Sequence, residues 1–131
     1  MFSKACEYAI KSVIYIAQEA LAGKKTNVKQ IAEATNAPEA FVAKILQTLS
    51  KKGILISNKG KLGGFSVELD KIDKIKLIEI VLATDGPDIL TRCAFGLEKC
   101  TSEKPCPFHD KFKGIREELR DSLSEISVYD M

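Results

Sequence analysis

Residues Thr26 to Gly53 read TNVKQIAEATNAPEAFVAKILQTLSKKG, and this stretch decides the fold. Thr26 or Asn27 can cap a short helix in which Val28, Ile31 and Ala32 turn inward. Thr35-Asn36-Ala37 breaks that helix. Pro38 suits the first position of the next one and Glu39 favours its positive end, while Phe41, Val42, Ile45, Leu46 and Leu49 supply a buried stripe as far as Gly53. Two helices joined by so short a turn make a helix-turn-helix.

Working outward, Ile54 to Ser57 reads as a strand, Asn58 to Gly64 as a glycine-containing loop and Phe65 to Leu69 as an alternating return strand, so a wing follows the second helix. Upstream, Ala9, Ile10, Val13, Ile14, Ala17, Ala20 and Leu21 recur at helical spacing between Ser3 and Ala22, with Gly23 as a stop. Downstream, Lys74 to Ala83 is helical in pattern and Asp85-Gly86-Pro87 ends it. Residues 88 to 107 show no period and hold three of the four cysteines. A last helix, from about Pro107 to Ile126, places Phe108, Phe112, Ile115, Leu119, Leu123 and Ile126 on one stripe. The expected class is mostly α with a small β-hairpin: a winged helix-turn-helix domain over residues 1–84, a cysteine loop over 85–107, and a long C-terminal helix with its tail over 108–131.

A chain of 131 residues with 45% hydrophobic and 29% charged residues can bury one modest core without disulfide or metal staples. No run approaches the roughly 20 apolar residues that span a bilayer, so no membrane partner is expected. The start, with Glu7 where a leader would turn apolar, suggests a cytoplasmic protein whose thiols stay reduced. The formal charge of +2 is unevenly divided. Residues 24–64 carry eight Lys against only Glu33 and Glu39, whereas residues 65–131 carry ten Lys and Arg against fourteen Asp and Glu. A basic middle beside an acidic remainder implies a polyanion-binding segment attached to something that must not bind polyanion.

With Phe41, Ile45 and Leu49 facing the core, Lys44, Gln47, Thr48, Lys51 and Lys52 fall toward the other side of the second helix, where they can reach phosphates or base edges. Lys29 adds a cation on the first helix of the pair. In the wing tip, Lys59-Gly60-Lys61-Leu62-Gly63-Gly64-Phe65, Lys59 and Lys61 can meet the phosphates of a minor groove, and Gly63 and Gly64 let backbone approach closely. Double-stranded DNA is the expected partner. The glycines do not form a phosphate-cradling P-loop, because no Gly-Lys-Ser or Gly-Lys-Thr opens a helix here.

Cys93, Cys100 and Cys106 follow the pattern C-x6-C-x5-C, with His109 three residues on. Thiolates are the soft ligands that iron-sulfur clusters require, and three within one irregular stretch can turn toward one point. Structural zinc usually shows a close C-x2-C pair, which is missing, so Cys3His zinc is the weaker alternative. Cysteines can also be small core residues, but Glu98, Lys99, Thr101, Ser102, Glu103 and Lys104 offer little core to join. His109 is the sole histidine and no nucleophile-base pairing is legible, so an enzyme is not expected.

Cys6-Glu7-Tyr8-Ala9 on the first helix, the wing run Lys59 to Phe65 and the three spaced cysteines together resemble the IscR/NsrR-type, or Rrf-two, family of winged-helix regulators over essentially the whole chain. The wing departs from the family pattern in carrying Lys59 where Arg is usual and Phe65 where Tyr is usual. The resemblance implies a homodimer on a pseudo-palindromic operator, with residues 108–131 as the dimerisation helix and tail. It implies a 2Fe-2S or 4Fe-4S cluster on Cys93, Cys100 and Cys106 whose state changes operator affinity, in a regulator of probable repressor type that senses iron-sulfur status, redox or nitric oxide. His109 is similar to the histidine some relatives use as fourth ligand. Glu7 stands where others use a carboxylate from the partner subunit, and Cys6 is a further candidate. Two other readings are a same-fold regulator that uses thiol redox or a sulfur metabolite without a cluster, and a zinc-stabilised module that contacts proteins.

Overall fold

The computed structural model describes residues 2–96, 103 and 105–131. Among them are five α-helices and one hairpin: α1 (Lys4–Leu21), α2 (Val28–Thr35), α3 (Glu39–Lys51), β1 (Ile56–Asn58), β2 (Gly64–Ser66), α4 (Leu77–Asp85) and α5 (His109–Glu125). Short 3-10 turns follow β2 at Leu69–Lys71, follow α4 at Pro87–Leu90 and close the chain at Val128–Asp130.

Local chemistry sets most boundaries. Ser3 caps α1, accepting from the Cys6 amide at 3.0 Å. Asn27 and Gln30 form a reciprocal capping box at 2.9 and 3.0 Å, which fixes the start of α2. Asn36, in the left-handed region at φ 52°, ends that helix. Pro38 has ψ 130°, so it serves as the N-cap of α3 rather than its first residue, and its carbonyl accepts from Val42 at 3.0 Å.

Two elements begin later than the periodicity predicts. At the end of α3, Gly53 adopts φ 78° and the Ile54 amide turns back to the Leu49 carbonyl at 3.0 Å. This is a Schellman stop, so Ile54 and Leu55 are buried as the apolar follow-on of a helix and β1 starts only at Ile56. At the other site, the Ile75 carbonyl and the Leu77 amide are used by Val128 and Ile126, at 2.9 and 3.0 Å. This pins Lys76 against Ser127 in an antiparallel bridge, and α4 starts at Leu77 rather than near Lys74.

α1 packs on α2, α3 and α4, and the core gathers Val13, Ile16, Ile31, Val42, Leu46, Leu49, Ile72, Ile80 and Val81 from all four helices and the turn between wing and α4. Phe41 is a correction to the expected stripe: it is 38% exposed and meets Tyr8 edge-on at 5.7 Å, at the rim of the core. α5 lies on α4 and the Pro87–Leu90 turn and buries only Leu123 fully. No helix of the described residues is long and apolar enough to cross a membrane.

Candidate nucleic-acid interface and cysteine segment

The hairpin pairs Ile56 with Ser66, Ser57 with Phe65 and Asn58 with Gly64. A third backbone joins it. Thr26, just before α2, exchanges both hydrogen bonds with Phe65, at 3.2 and 2.7 Å, which clamps the wing to the entrance of the helix-turn-helix. Gly64, at φ 149°, lies so close beneath this bridge that a Cβ would stand 2.6 Å from the Thr26 carbonyl oxygen. A Cβ on Gly63 would collide with the carbonyl oxygens of Asn58 and Gly60. The two glycines therefore have a task in folding the wing, whatever they do against a ligand.

Lys44, Gln47 and Lys51 are exposed along one side of α3, and Lys52 is exposed at its C-cap. Thr48 is half-buried, and its hydroxyl donates to the Lys44 carbonyl at 3.1 Å, so that donor is occupied within the helix. Lys29 is exposed in the first turn of α2, and Lys59 and Lys61 are exposed in the wing. The ion pairs of the described residues, Lys4–Glu7 and Lys71–Glu68, involve none of these six lysines. Their charge is left unneutralised by the chain itself. Glu39 and Ala40 are also exposed, at the start of α3. The sequence reading passed over them by looking only for donors, although the leading turn of such a helix is the part that meets base edges.

The cysteine segment begins and ends on described residues, while Cys100 lies outside them. Cys93 is buried and Cys106 half-buried. Their stems are brought together by rings: Phe95 contacts Phe108 at 5.2 Å, Phe108 stacks on Phe112 at 5.7 Å, and the Arg116 guanidinium sits 5.6 Å above Phe112. Arg116 also donates to the Arg92 carbonyl at 3.0 Å and Arg120 to that of Leu90 at 3.5 Å, so α5 holds the entry strand of the loop. A cavity of about 530 Å³ opens beside it, lined by Ile89, Arg92, Cys93, Phe95 and Phe112 among others. His109 opens α5, half-buried, its amide donating to the Cys106 carbonyl at 2.9 Å.

The alternative ligands separate. Glu7 is partly exposed and 3.2 Å from the Lys4 ammonium, so it remains available at the surface of α1. Cys6 does not: it is fully buried in the core, burial pushes its thiol above the ordinary value, and Thr84 is its hydrogen-bond partner. As a ligand Cys6 is therefore corrected to a core residue. Beside it, the Ser3 amide and hydroxyl both donate to the Asp85 carboxylate, the amide at 3.0 Å, which ties the start of α1 to the end of α4.

A family model described as an iron-dependent transcriptional regulator, Rrf2, matches residues 2–131. The chain belongs to the Rrf2 family. A protein of Aquifex aeolicus named as an HTH-type transcriptional regulator is 28% identical over 133 residues, covering all of this chain and 90% of the relative. Among solved structures, CymR, the global cysteine regulator of B. subtilis, superposes with a TM-score of 0.82 at 19% identity, covering 99% of this chain and 94% of that one. IscR of T. potens gives 0.75 at 19% identity, covering 100% and 85%.

This Rrf2 chain is thus a transcriptional regulator with a DNA-binding winged-helix fold, in a family of regulators rather than enzymes. Among the described residues of the Rrf2 chain, no three His, Cys, Asp or Glu side chains are gathered as for a metal ion. The donor chemistry nevertheless suits a cluster. Cys93 and Cys106 are thiols on two stems closed by one aromatic cluster, with an imidazole at the helix start beside them.

Proposed function

We propose that two copies of this chain grip a pseudo-palindromic duplex operator through α3 and the wing, and that an iron-sulfur cluster on Cys93, Cys100, Cys106 and His109 sets how tightly. The observation that carries the DNA interface is the row of exposed, acid-free lysines on α2, α3 and the wing, joined into one surface by the Thr26–Phe65 bridge. Lys29, Lys44, Lys51, Lys52, Lys59 and Lys61 neutralise phosphate, while Gln47 can read a base edge. The second copy would cover the stripe of α5, on which Phe108, Ile115 and Ile126 are exposed.

A bound cluster supplies a thiolate-ligated centre sensitive to oxidant and nitric oxide. The chain's own residues convert that into a change of grip. While Cys93 and Cys106 are held, Arg116 and Arg120 keep α5 registered on the 90–92 backbone, and the Ser3–Asp85 pair keeps α1 and α4 registered on each other. Once the thiols are released, α5 and the segment after Asp85 are free to shift, and with them the spacing of the two α3 helices. Such a shift changes affinity only because one arrangement binds DNA better.

The test is anaerobic purification followed by iron and sulfide analysis, visible absorption, and operator titration at one salt concentration with and without the cluster. The expected result is a coloured protein whose two forms differ in affinity. Equal affinity removes the sensor, and binding without a salt slope removes the DNA interface. The cavity beside Cys93 and Arg92 favours one further reading, a sulfur-containing small anion bound without a cluster. A colourless anaerobic protein whose operator affinity responds to added thiols or disulfides would establish it, and stoichiometric zinc with weak, salt-insensitive binding would instead establish a protein-contacting module.

A further inference from the structure

We propose that Leu62 is an apolar wedge which the wing inserts between base steps of the operator's minor groove, so that the regulator selects DNA that is easily unstacked at that point. The inference rests on the DNA-binding reading above and adds to it a residue and a mode of selection.

Leu62 is 91% exposed, above Tyr129 at 65% and Phe95 at 64%, the next most exposed large apolar side chains of the described residues. A leucine that stands clear of its own chain leaves almost its whole apolar surface in water, a state relieved only by a partner. Its platform is rigid. The Gly63 amide donates to the Gly60 carbonyl at 2.9 Å across the tip, and the missing Cβ atoms of Gly63 and Gly64 let the loop and the Thr26 backbone close on the strands. The tip is thus held out from a three-backbone base that is itself anchored on α2.

The neighbours decide which partner fits. Lys59 and Lys61 are exposed beside Leu62, and no acidic residue occurs between Ser57 and Ser66. An apolar point flanked by two cations does not match an apolar protein pocket, where both ammonium groups would lose water uncompensated. It matches a groove with phosphates along both walls and stacked bases at its floor. Wedging there costs least at pyrimidine–purine steps such as TA and CA, which unstack readily. Operator preference would then extend to a step that the protein does not hydrogen-bond.

The experiment starts from duplexes selected by the wild-type full-length protein out of a random library. 2-Aminopurine is placed in turn at each step of the segment the wing protects. Wild type is expected to raise the fluorescence at one step, and that step to be enriched in TA or CA. Leu62→Ala should abolish the rise and weaken binding by roughly tenfold or more, with the slope of log K against log salt unchanged. Leu62→Met should restore both. Lys61→Ala should keep the fluorescence rise while lowering the slope by about 0.9 for the lost phosphate contact. Leu62→Ala binding within twofold of wild type, or an unchanged fluorescence pattern, overturns the wedge while leaving the DNA-binding reading intact. A protein that enriches no duplex overturns that reading, and the wedge with it.

Discussion

The four-helix head with its wing and the C-terminal helix α5 differ in how completely a single chain finishes them. In the head, Ile16, Ile31, Leu46, Leu49 and Ile80 are buried to within a percent or so, and the wing is locked by backbone bridges and by two glycines with no room for a side chain. In α5, a stripe that the periodicity marks as apolar buries one residue fully, Leu123, and leaves Ile115 49% exposed. The same spacing rule wrote both. The contrast teaches that periodicity identifies a face but not the surface that covers it: the head is covered by itself, and α5 awaits something else.

Substitutions can break or sharpen this contrast. The largest effect is expected in the head, where Leu46→Ala should lower the unfolding free energy by about 2–5 kcal/mol in urea titration. Gly64→Ala follows: its backbone is in a region that L side chains rarely adopt and its Cβ would strike Thr26, so stability should fall by about 1–3 kcal/mol while the helical circular dichroism persists and DNA affinity drops. In α5, Ile115→Glu should leave the unfolding free energy of the separated chain within about 0.5 kcal/mol of wild type, because the side chain is half in water already. Sedimentation should nonetheless show that it abolishes self-association. An Ile115→Glu protein with unchanged mass would mean that the second copy sits elsewhere.

The smallest effect is a pH slope. Burial raises the Cys6 thiol above its ordinary 9.0 in the folded chain, so the unfolded state loses its proton first. Stability from this group is therefore complete below 9.0 and declines as pH rises through the interval between the two values. Urea midpoints measured above that pH should fall more steeply for wild type than for Cys6→Ala. Matching slopes would mean that the thiol is not held in the core.

Most of the head was legible because its signals are local. The Asn27 cap, the Asn36 stop and the apolar spacing of α1 to α3 need only neighbours in sequence, and the structure follows them. The departures come from partners far along the chain. β1 starts late because Gly53 turns Ile54 back on the helix, and α4 starts late because Ile126 and Val128 take up the backbone at Lys76. The third backbone of the wing is a single residue, Thr26, which no strand pattern can announce. At the candidate site, the lysines of α3 and the wing were readable as one face. Cys6 was not separable from Glu7, since only the packing of α1 on α4 shows that one side chain points in while the other stays near solvent.

The Lys76–Ser127 bridge has a consequence for how such a molecule can change over generations. One foot of the C-terminal segment leaves α4 at Asp85 and the other returns to its beginning at Lys76, so everything between is a closed excursion from one nine-residue helix. Ring-closure entropy grows only logarithmically, by about 0.6 kcal/mol for each doubling of length. Insertions or wholesale replacement between those feet therefore tax the chassis little, and detectors of quite different size and chemistry can be exchanged on an unaltered α4 without re-registering the rest.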